Sequence, residues 1–265
     1  MTYIYPVVSR RAKGVSIGIN LNLNNACNWA CIYCQVPDLK RGGPPPVNLP
    51  LLENELSGFL DHVLHGSFMT DRVPEDSRRL MDIAFSGNGE STSAAEFATV
   101  VEAVLRIMDS KSLLPALPLR VITNGSMLHR SGVQAAIRRI GEAGGEIWFK
   151  FDRGSDAGMQ QVNATHEPVR QHLQRLRQCI ALAPTWIQTC WFQRDGLPPA
   201  AEEEAAWLSV VQSVQTEICG VHLYGLARQA MQPGCERLSA LPPATLEAFA
   251  ERIRNATGVR VNVSP

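Results

Sequence analysis

Three cysteines, Cys27, Cys31 and Cys34, stand within eight residues in the spacing C-x3-C-x2-C. Thiolates are metal ligands, and three on one short loop can reach a single centre together. Iron–sulfur clusters ordinarily take four cysteine thiolates, so a three-cysteine loop implies one iron left open to another ligand, and an open iron is a place for chemistry. Two other readings compete. A structural zinc site would use four nitrogen or sulfur ligands in paired motifs, and no second pair of that kind follows in the sequence. Buried free cysteine also serves as a small hydrophobe, but Asn28 and Trp29 between the first two thiols do not continue an apolar strand pattern.

A second candidate is the run Gly87-Asn88-Gly89-Glu90-Ser91-Thr92. Its glycines let the backbone approach a ligand closely. It is not a phosphate loop, because the Gly-Lys-Ser/Thr of that motif is missing. The competing reading is a plain strand-to-helix turn with Glu90 in the first helical turn. Thr123 and Asn124 end an apolar segment, where a strand-end turn is the alternative to a ligand contact. Lys150 and Asp152 lie two apart and so on one face of a strand, directed into the interior; a plain interior ion pair is the alternative. Arg228 could hold an anionic substrate or could be solvated surface.

The elements that must position these residues alternate. Val15 to Leu23 places Val15, Ile17, Ile19, Leu21 and Leu23 against polar or small residues, a strand by its period of two, and the cysteine loop follows its C-terminal end. After the turn at Arg41 to Pro46, helical spacing begins at Leu51. Strands are then expected at 81–86, 119–123, 146–152, 185–192 and 221–226, with helices following each, near 97–105, 132–143, 168–183, 201–214 and 244–256. Such alternation builds a parallel sheet through right-handed crossovers. Six units with a short terminal strand at Val259 to Val263 give an α/β fold, a partial (β/α)6 TIM-like barrel, with an open doubly wound sheet as the alternative. Either architecture puts function on the loops at the C-terminal strand ends, where the candidate residues fall.

Length and composition agree with this. At 265 residues, 45% hydrophobic and 19% charged, the chain suits one domain with a sizeable core, spanning 1–265, with the cysteine loop at 24–36 and a closing helix and strand at 243–263. Lys+Arg and Asp+Glu are both 25, so no protein-wide field draws nucleic acid or an anionic membrane. The start lacks a charged segment followed by an apolar core, and no apolar run reaches membrane-spanning length; a cytoplasmic protein is expected. Seven cysteines, an odd number, fit a reducing compartment and a metal loop better than a disulfide framework.

The cysteine spacing, with Tyr33 before the last thiol, resembles the signature of the radical SAM superfamily. More narrowly, Val8-Ser9-Arg10-Arg11, the cysteine loop followed by Gln35, Phe85-Ser86-Gly87-Asn88-Gly89-Glu90, Ile122-Thr123-Asn124-Gly125-Ser126, Lys150-Phe151-Asp152 and Leu223-Tyr224-Gly225-Leu226-Ala227-Arg228 resemble the Fe–S oxidoreductases related to wyosine synthase. The resemblance implies a [4Fe–4S] cluster on Cys27, Cys31 and Cys34, with S-adenosylmethionine chelating its open iron. It implies that the backbone near Tyr33 meets the adenine, that Ser86 to Glu90 grip the methionine moiety, and that Thr123 and Asn124 touch the ribose or carboxylate. Lys150, Asp152 and Arg228 would then serve the substrate or cofactor. The reaction implied is reductive cleavage to a 5′-deoxyadenosyl radical that abstracts hydrogen, with flavodoxin or ferredoxin as one-electron donor.

Archaeal-type wyosine enzymes carry cysteines before this loop for a second cluster, whereas Cys27 is the first here. The remaining Cys179, Cys190, Cys219 and Cys235 are widely spaced and are expected to be buried thiols, with a second cluster as the alternative. The expected substrate is therefore a small molecule or peptide, with a tRNA- or nucleoside-modifying enzyme as the alternative and a non-catalytic Fe–S or zinc protein as the second.

Overall fold

The computed structural model describes residues 1–9 and 14–265, so Arg10 and Arg11 of the Val8-Ser9-Arg10-Arg11 motif lie outside the described residues. The chain opens with β1 (Ile4–Ser9), which runs antiparallel to β2 (Gly14–Ile19). Parallel strands then follow in chain order: β3 (Leu80–Phe85), β4 (Leu119–Thr123), β5 (Glu146–Lys150), β6 (Thr185–Cys190), β7 (Gly220–Tyr224) and β8 (Val261–Ser264). Among the described residues they form one eight-stranded sheet whose spatial order equals its sequence order, curled into an open half-barrel with β1 and β8 at its edges. A doubly wound sheet would reverse its strand order at a switch point, and this one does not.

Helices α1 (Leu49–Leu64), α2 (Phe97–Ser110), α3 (Ser131–Glu142), α4 (Asp156–Asn163), α5 (Val169–Ile180), α6 (Ala201–Gln212) and α7 (Pro243–Thr257) lie between the strands. The longer ones bury a stripe because their apolar residues recur at three and four. In α2 the stripe is Phe97, Val100, Val101, Val104, Leu105 and Met108, and in α1 it is Leu52, Leu56, Phe59, Leu60 and Val63. Burying each such side chain stabilises the fold by about 1.5–3 kcal/mol. Asn48 starts α1 by accepting from the Leu51 amide at 3.1 Å, and Gly258 ends α7 in the left-handed conformation that glycine adopts without strain.

Several boundaries differ from the sequence expectation. The first strand ends at Ile19 rather than Leu23, because Asn20 Oδ1 accepts from the Asn22 and Asn88 amides and turns the backbone out of the ladder. The fourth interior strand ends at Lys150, short of Asp152, and the sixth at Tyr224, short of Leu226. The stretch expected as one strand from Thr185 to Phe192 breaks after Cys190, and Phe192–Arg194 instead pairs antiparallel with Leu238–Ala240. Both β1 and the short helix α4 were not foreseen. β1 is anchored by Glu55, whose carboxylate accepts from the amides of Thr2, Tyr3 and Ile4 at 2.6, 2.8 and 3.3 Å.

Candidate active site

The cysteine loop is held from several sides. Ala26–Cys27 pairs with Lys40–Arg41 in a small ribbon. The Arg41 guanidinium donates to the Asn28 carbonyl at 2.7 Å and to that of Ala164. Helix α4 backs the middle of the loop, since its Asn163 and Val162 carbonyls accept from the Ala30 and Ile32 amides at 3.3 and 2.9 Å. Cys34 is fixed from the far end of the chain by the Met231 amide, which donates to its carbonyl at 2.8 Å.

Beside it lies the glycine run. A side chain at Gly89 would collide with the Ala26 carbonyl and with Asn22, and one at Gly87, where φ is +128°, would come within 2.6 Å of Asn20. The glycines therefore let this loop seat against the segment that carries Cys27, in addition to baring backbone to the space in front. Glu90 is buried, and its carboxylate gathers three neighbours. Oε1 accepts from the Thr92 hydroxyl at 2.5 Å and the Thr123 hydroxyl at 2.6 Å, while Oε2 accepts from the Asn124 amide at 2.7 Å. Burial pushes the Glu90 carboxyl up, and the donors from Asn124, Thr123 and Thr92 work against that shift.

Beneath the loop, Lys150 and Asp152 part company. Lys150 Nζ donates to the Tyr224 hydroxyl at 2.9 Å and lies 5.0 Å from the centroid of the Tyr33 ring. Asp152, fully buried, accepts from the Tyr33 hydroxyl at 2.5 Å, Asn163 Nδ2 at 2.7 Å and the Cys190 amide at 2.8 Å. Among the described residues the two charges make no ion pair within 4.0 Å, so they are coupled through space and not by a direct contact. Burial works against the ammonium, yet Asp152, Tyr224 and Cys31 hold it well above the usual lysine range. Burial likewise raises Asp152, but Lys150 and its three donors bring it below the usual carboxylate range. The Cys27 thiol is pushed up to about 11 and that of Cys31 to about 12, chiefly by burial.

A cavity of about 990 Å³ opens at these strand ends. Cys27, Cys31 and Cys34 line it together with Ser86 to Glu90, Asn124, Lys150 and Arg228. Tyr33, Thr123 and Asp152 do not line it: all three side chains are buried behind its wall in the bonds just described. Arg228 is exposed at the rim and has no carboxylate partner among the described residues. Among the described residues no three Cys, His, Asp or Glu side chains converge as a single ion would require. Cys190 lines the cavity, Cys179 is buried in the core, and Cys219 is exposed. Asn163, Asn28, Gln188 and Tyr224 were not foreseen as part of the site, although Asn28 and Tyr224 sit in motifs already quoted. Polar residues scattered at single positions have no period that could announce them.

No protein-family model matches the chain. Over 130 residues, 49% of its length, it is 25% identical to a GTPase Obg of Brachyspira hyodysenteriae, of which it spans only 16%. The chain has no Gly-Lys-Ser/Thr phosphate loop. A solved structure of TYW1 with a lysine–pyruvate adduct bound superposes with a TM-score of 0.60 at 12% identity, over 92% of this chain and 74% of that one. A radical SAM methyltransferase from Sphaerobacter thermophilus gives 0.63 at 14% identity, over 94% of this chain and 66% of that one. With superpositions over more than nine tenths of its length, the chain carries the fold of the radical SAM enzymes, in agreement with the resemblance read from its cysteine loop.

Proposed function

We propose that the protein is a radical SAM enzyme that binds a [4Fe–4S] cluster through Cys27, Cys31 and Cys34 and S-adenosylmethionine through the Ser86–Glu90 loop. One observation carries this reading: the three thiols and the glycine loop line a single cavity at the C-terminal ends of parallel strands. The donor set fits the group. Three thiols on one short loop facing a roomy cavity suit a multi-iron cluster with an open iron better than a structural zinc ion, which takes four nitrogen or sulfur ligands. The cavity lies at the upper end of the size range of small-molecule sites.

When bound, the reduced cluster with S-adenosylmethionine supplies a 5′-deoxyadenosyl radical for hydrogen abstraction. The chain's own part is to hold, orient and shield. Gly87 and Gly89 bring backbone to the cavity wall, and Glu90 fixes the neighbouring Asn124. Lys150 spends one N–H on Tyr224 and keeps two more for an anionic group of cofactor or substrate. Val7, Val8, Leu226 and Val263 give the cavity an apolar margin that favours exclusion of water. Arg228 offers a guanidinium at the rim. The substrate proposed is a small molecule or peptide, and the electron donor a flavodoxin or ferredoxin.

The test is anaerobic reconstitution followed by iron and sulfide analysis and a dithionite-driven assay for 5′-deoxyadenosine. About four irons per chain and release of 5′-deoxyadenosine are expected, both lost when Cys27, Cys31 and Cys34 are all replaced by Ala. Stoichiometric zinc in place of iron, or iron retained at full level in the triple variant, would sink the reading.

A further inference from the structure

Asn163, the last residue of α4, is fully buried between two acceptors. Its Nδ2 donates to Asp152 Oδ2 at 2.7 Å and to Cys31 Sγ at 3.3 Å, while its own Oδ1 has no hydrogen-bond partner among the described residues. Chemistry fixes this orientation of the amide. Turned over, Oδ1 would face the ionised Asp152 carboxylate with no proton between them, and the two N–H groups would lose that acceptor. The residue cannot easily move away, because its carbonyl accepts from Ala30 and the next carbonyl, that of Ala164, accepts from Arg41.

We propose that Asn163 is a positioning residue that raises the reduction potential of the cluster held by Cys31, and that Asp152 opposes it; this rests on the reading of the site given above. Reduction adds one electron, lost by a one-electron donor of the flavodoxin or ferredoxin class, and takes up no proton, so the cluster and its thiolates gain one negative charge. An N–H aimed at sulfur stabilises that added charge, and the anionic carboxylate of Asp152 beside it destabilises it. Asn163 stands between the two, one proton neutralising part of the carboxylate's field and the other serving the thiolate. The arrangement belongs to the insertion after β5, where α4 exists to back the loop.

The experiment is a redox titration of the reconstituted protein with dithionite and mediators, read by the EPR signal of the reduced cluster. Asn163→Leu is expected to lower the reduced-to-oxidised ratio at a fixed poise about tenfold, a shift of about 59 mV for one electron, and Asp152→Asn to move it the opposite way. A site merely loosened and wetted would shift both variants in the same direction. Where Asn163→Leu fails to keep its iron, Asn163→Ser decides, since its single hydroxyl proton cannot serve both acceptors and the potential must still fall. Four irons with an unchanged or raised potential in the Asn163 variant overturns the proposal. A parent protein that takes up no cluster overturns the underlying reading instead, and the proposal with it.

Discussion

Asn124 donates through Nδ2 to Oδ1 of Asn28 at 2.9 Å, joining the end of β4 to the residue that follows Cys27. The connection closes on itself, since Asn28 Nδ2 donates to the Ser126 hydroxyl at 2.6 Å and that hydroxyl donates to Asn124 Oδ1 at 2.6 Å. Glu90 holds the Asn124 amide from the other side. The glycine loop, the third parallel strand end and the cysteine loop are therefore set in register by short, neutral side chains, with Glu90 on one side and the Arg41 guanidinium on the Asn28 carbonyl.

The tight seat of Gly89 gives the first prediction. A methyl group there meets the Ala26 carbonyl and the Asn22 amide, which are backbone and buried side chain and cannot swing aside. Overpacking of this kind costs about 1–3 kcal/mol. Gly89→Ala should lower Tm by roughly 4–8 °C for a loss of about 2 kcal/mol and should release iron from the reconstituted protein. Gly43→Ala, where nothing among the described residues lies within 4 Å of the added atom, should change neither. Scanning calorimetry and iron analysis check both, and equal behaviour of the two variants would refute the packing argument.

Glu90 supplies the second. Replacing it by Gln sets an amide group against hydroxyl and amide donors that the carboxylate accepted, so at least one buried donor loses its acceptor. Glu90→Gln is expected to lose about 1–3 kcal/mol of stability and to weaken S-adenosylmethionine binding roughly tenfold, because Asn124 at the cavity wall is no longer held. Anaerobic titration calorimetry and thermal unfolding measure the two effects. Reduced stability with unchanged affinity would confine Glu90 to a structural role.

How far the site was legible follows from these particulars. The cysteine spacing and the strand periodicity of Val15, Ile17 and Ile19 are local patterns, and they carried the fold and the loop. The contacts of Glu90 with Thr123 and Asn124 join residues more than 30 positions apart, and nothing in either segment encodes the pairing. Helix α4 is only eight residues long and carries a glycine, too short for a helical period to declare itself. The end of β2 was misplaced for a related reason: Leu21 and Leu23 extend the alternation, while the turn that overrides it depends on Asn20 meeting Asn88 across 68 residues.

His172 makes the third prediction. It is fully buried on α5, its ring packed against Phe151, Phe149 and Trp29 at centroid distances of 4.6, 4.9 and 5.3 Å, with Nε2 donating to the Lys150 carbonyl at 2.8 Å. The charged groups around it are Glu167, whose carboxylate lies 3.9 Å from Nδ1, Arg175, and Asp152 beyond the strand. Burial lowers its pKa from 6.5 to about 4, so the folded protein keeps the ring neutral. The folded value is depressed for a base, hence its contribution is fully present above pH 6.5 and is lost as pH falls toward 4, a change of about 3 kcal/mol. Urea unfolding from pH 7 to pH 4 should show that decline, and His172→Phe should flatten it. A slope unchanged in the variant would move the effect to another group.

The last prediction concerns the substrate. A protein that grips a folded RNA neutralises several phosphates with clustered Lys and Arg, and its binding then weakens steeply with salt. On the basic helices two arginines are paired, while Arg138, Arg170 and Arg177 have no carboxylate partner among the described residues and are too few and scattered for a phosphate-gripping patch. Arg139 faces Glu102 and Glu142, and Arg175 faces Glu167. Arg228 brings one guanidinium to the cavity rim, where Val7, Val8, Leu226 and Val263 are apolar. Such a rim suits a small molecule or an extended peptide better than a phosphate backbone. Titration with bulk tRNA at physiological salt is therefore expected to show nothing tighter than the non-specific range of about 10⁻⁴ to 10⁻⁶ M. Submicromolar binding with a steep salt dependence would reverse the choice and place the substrate among nucleic acids.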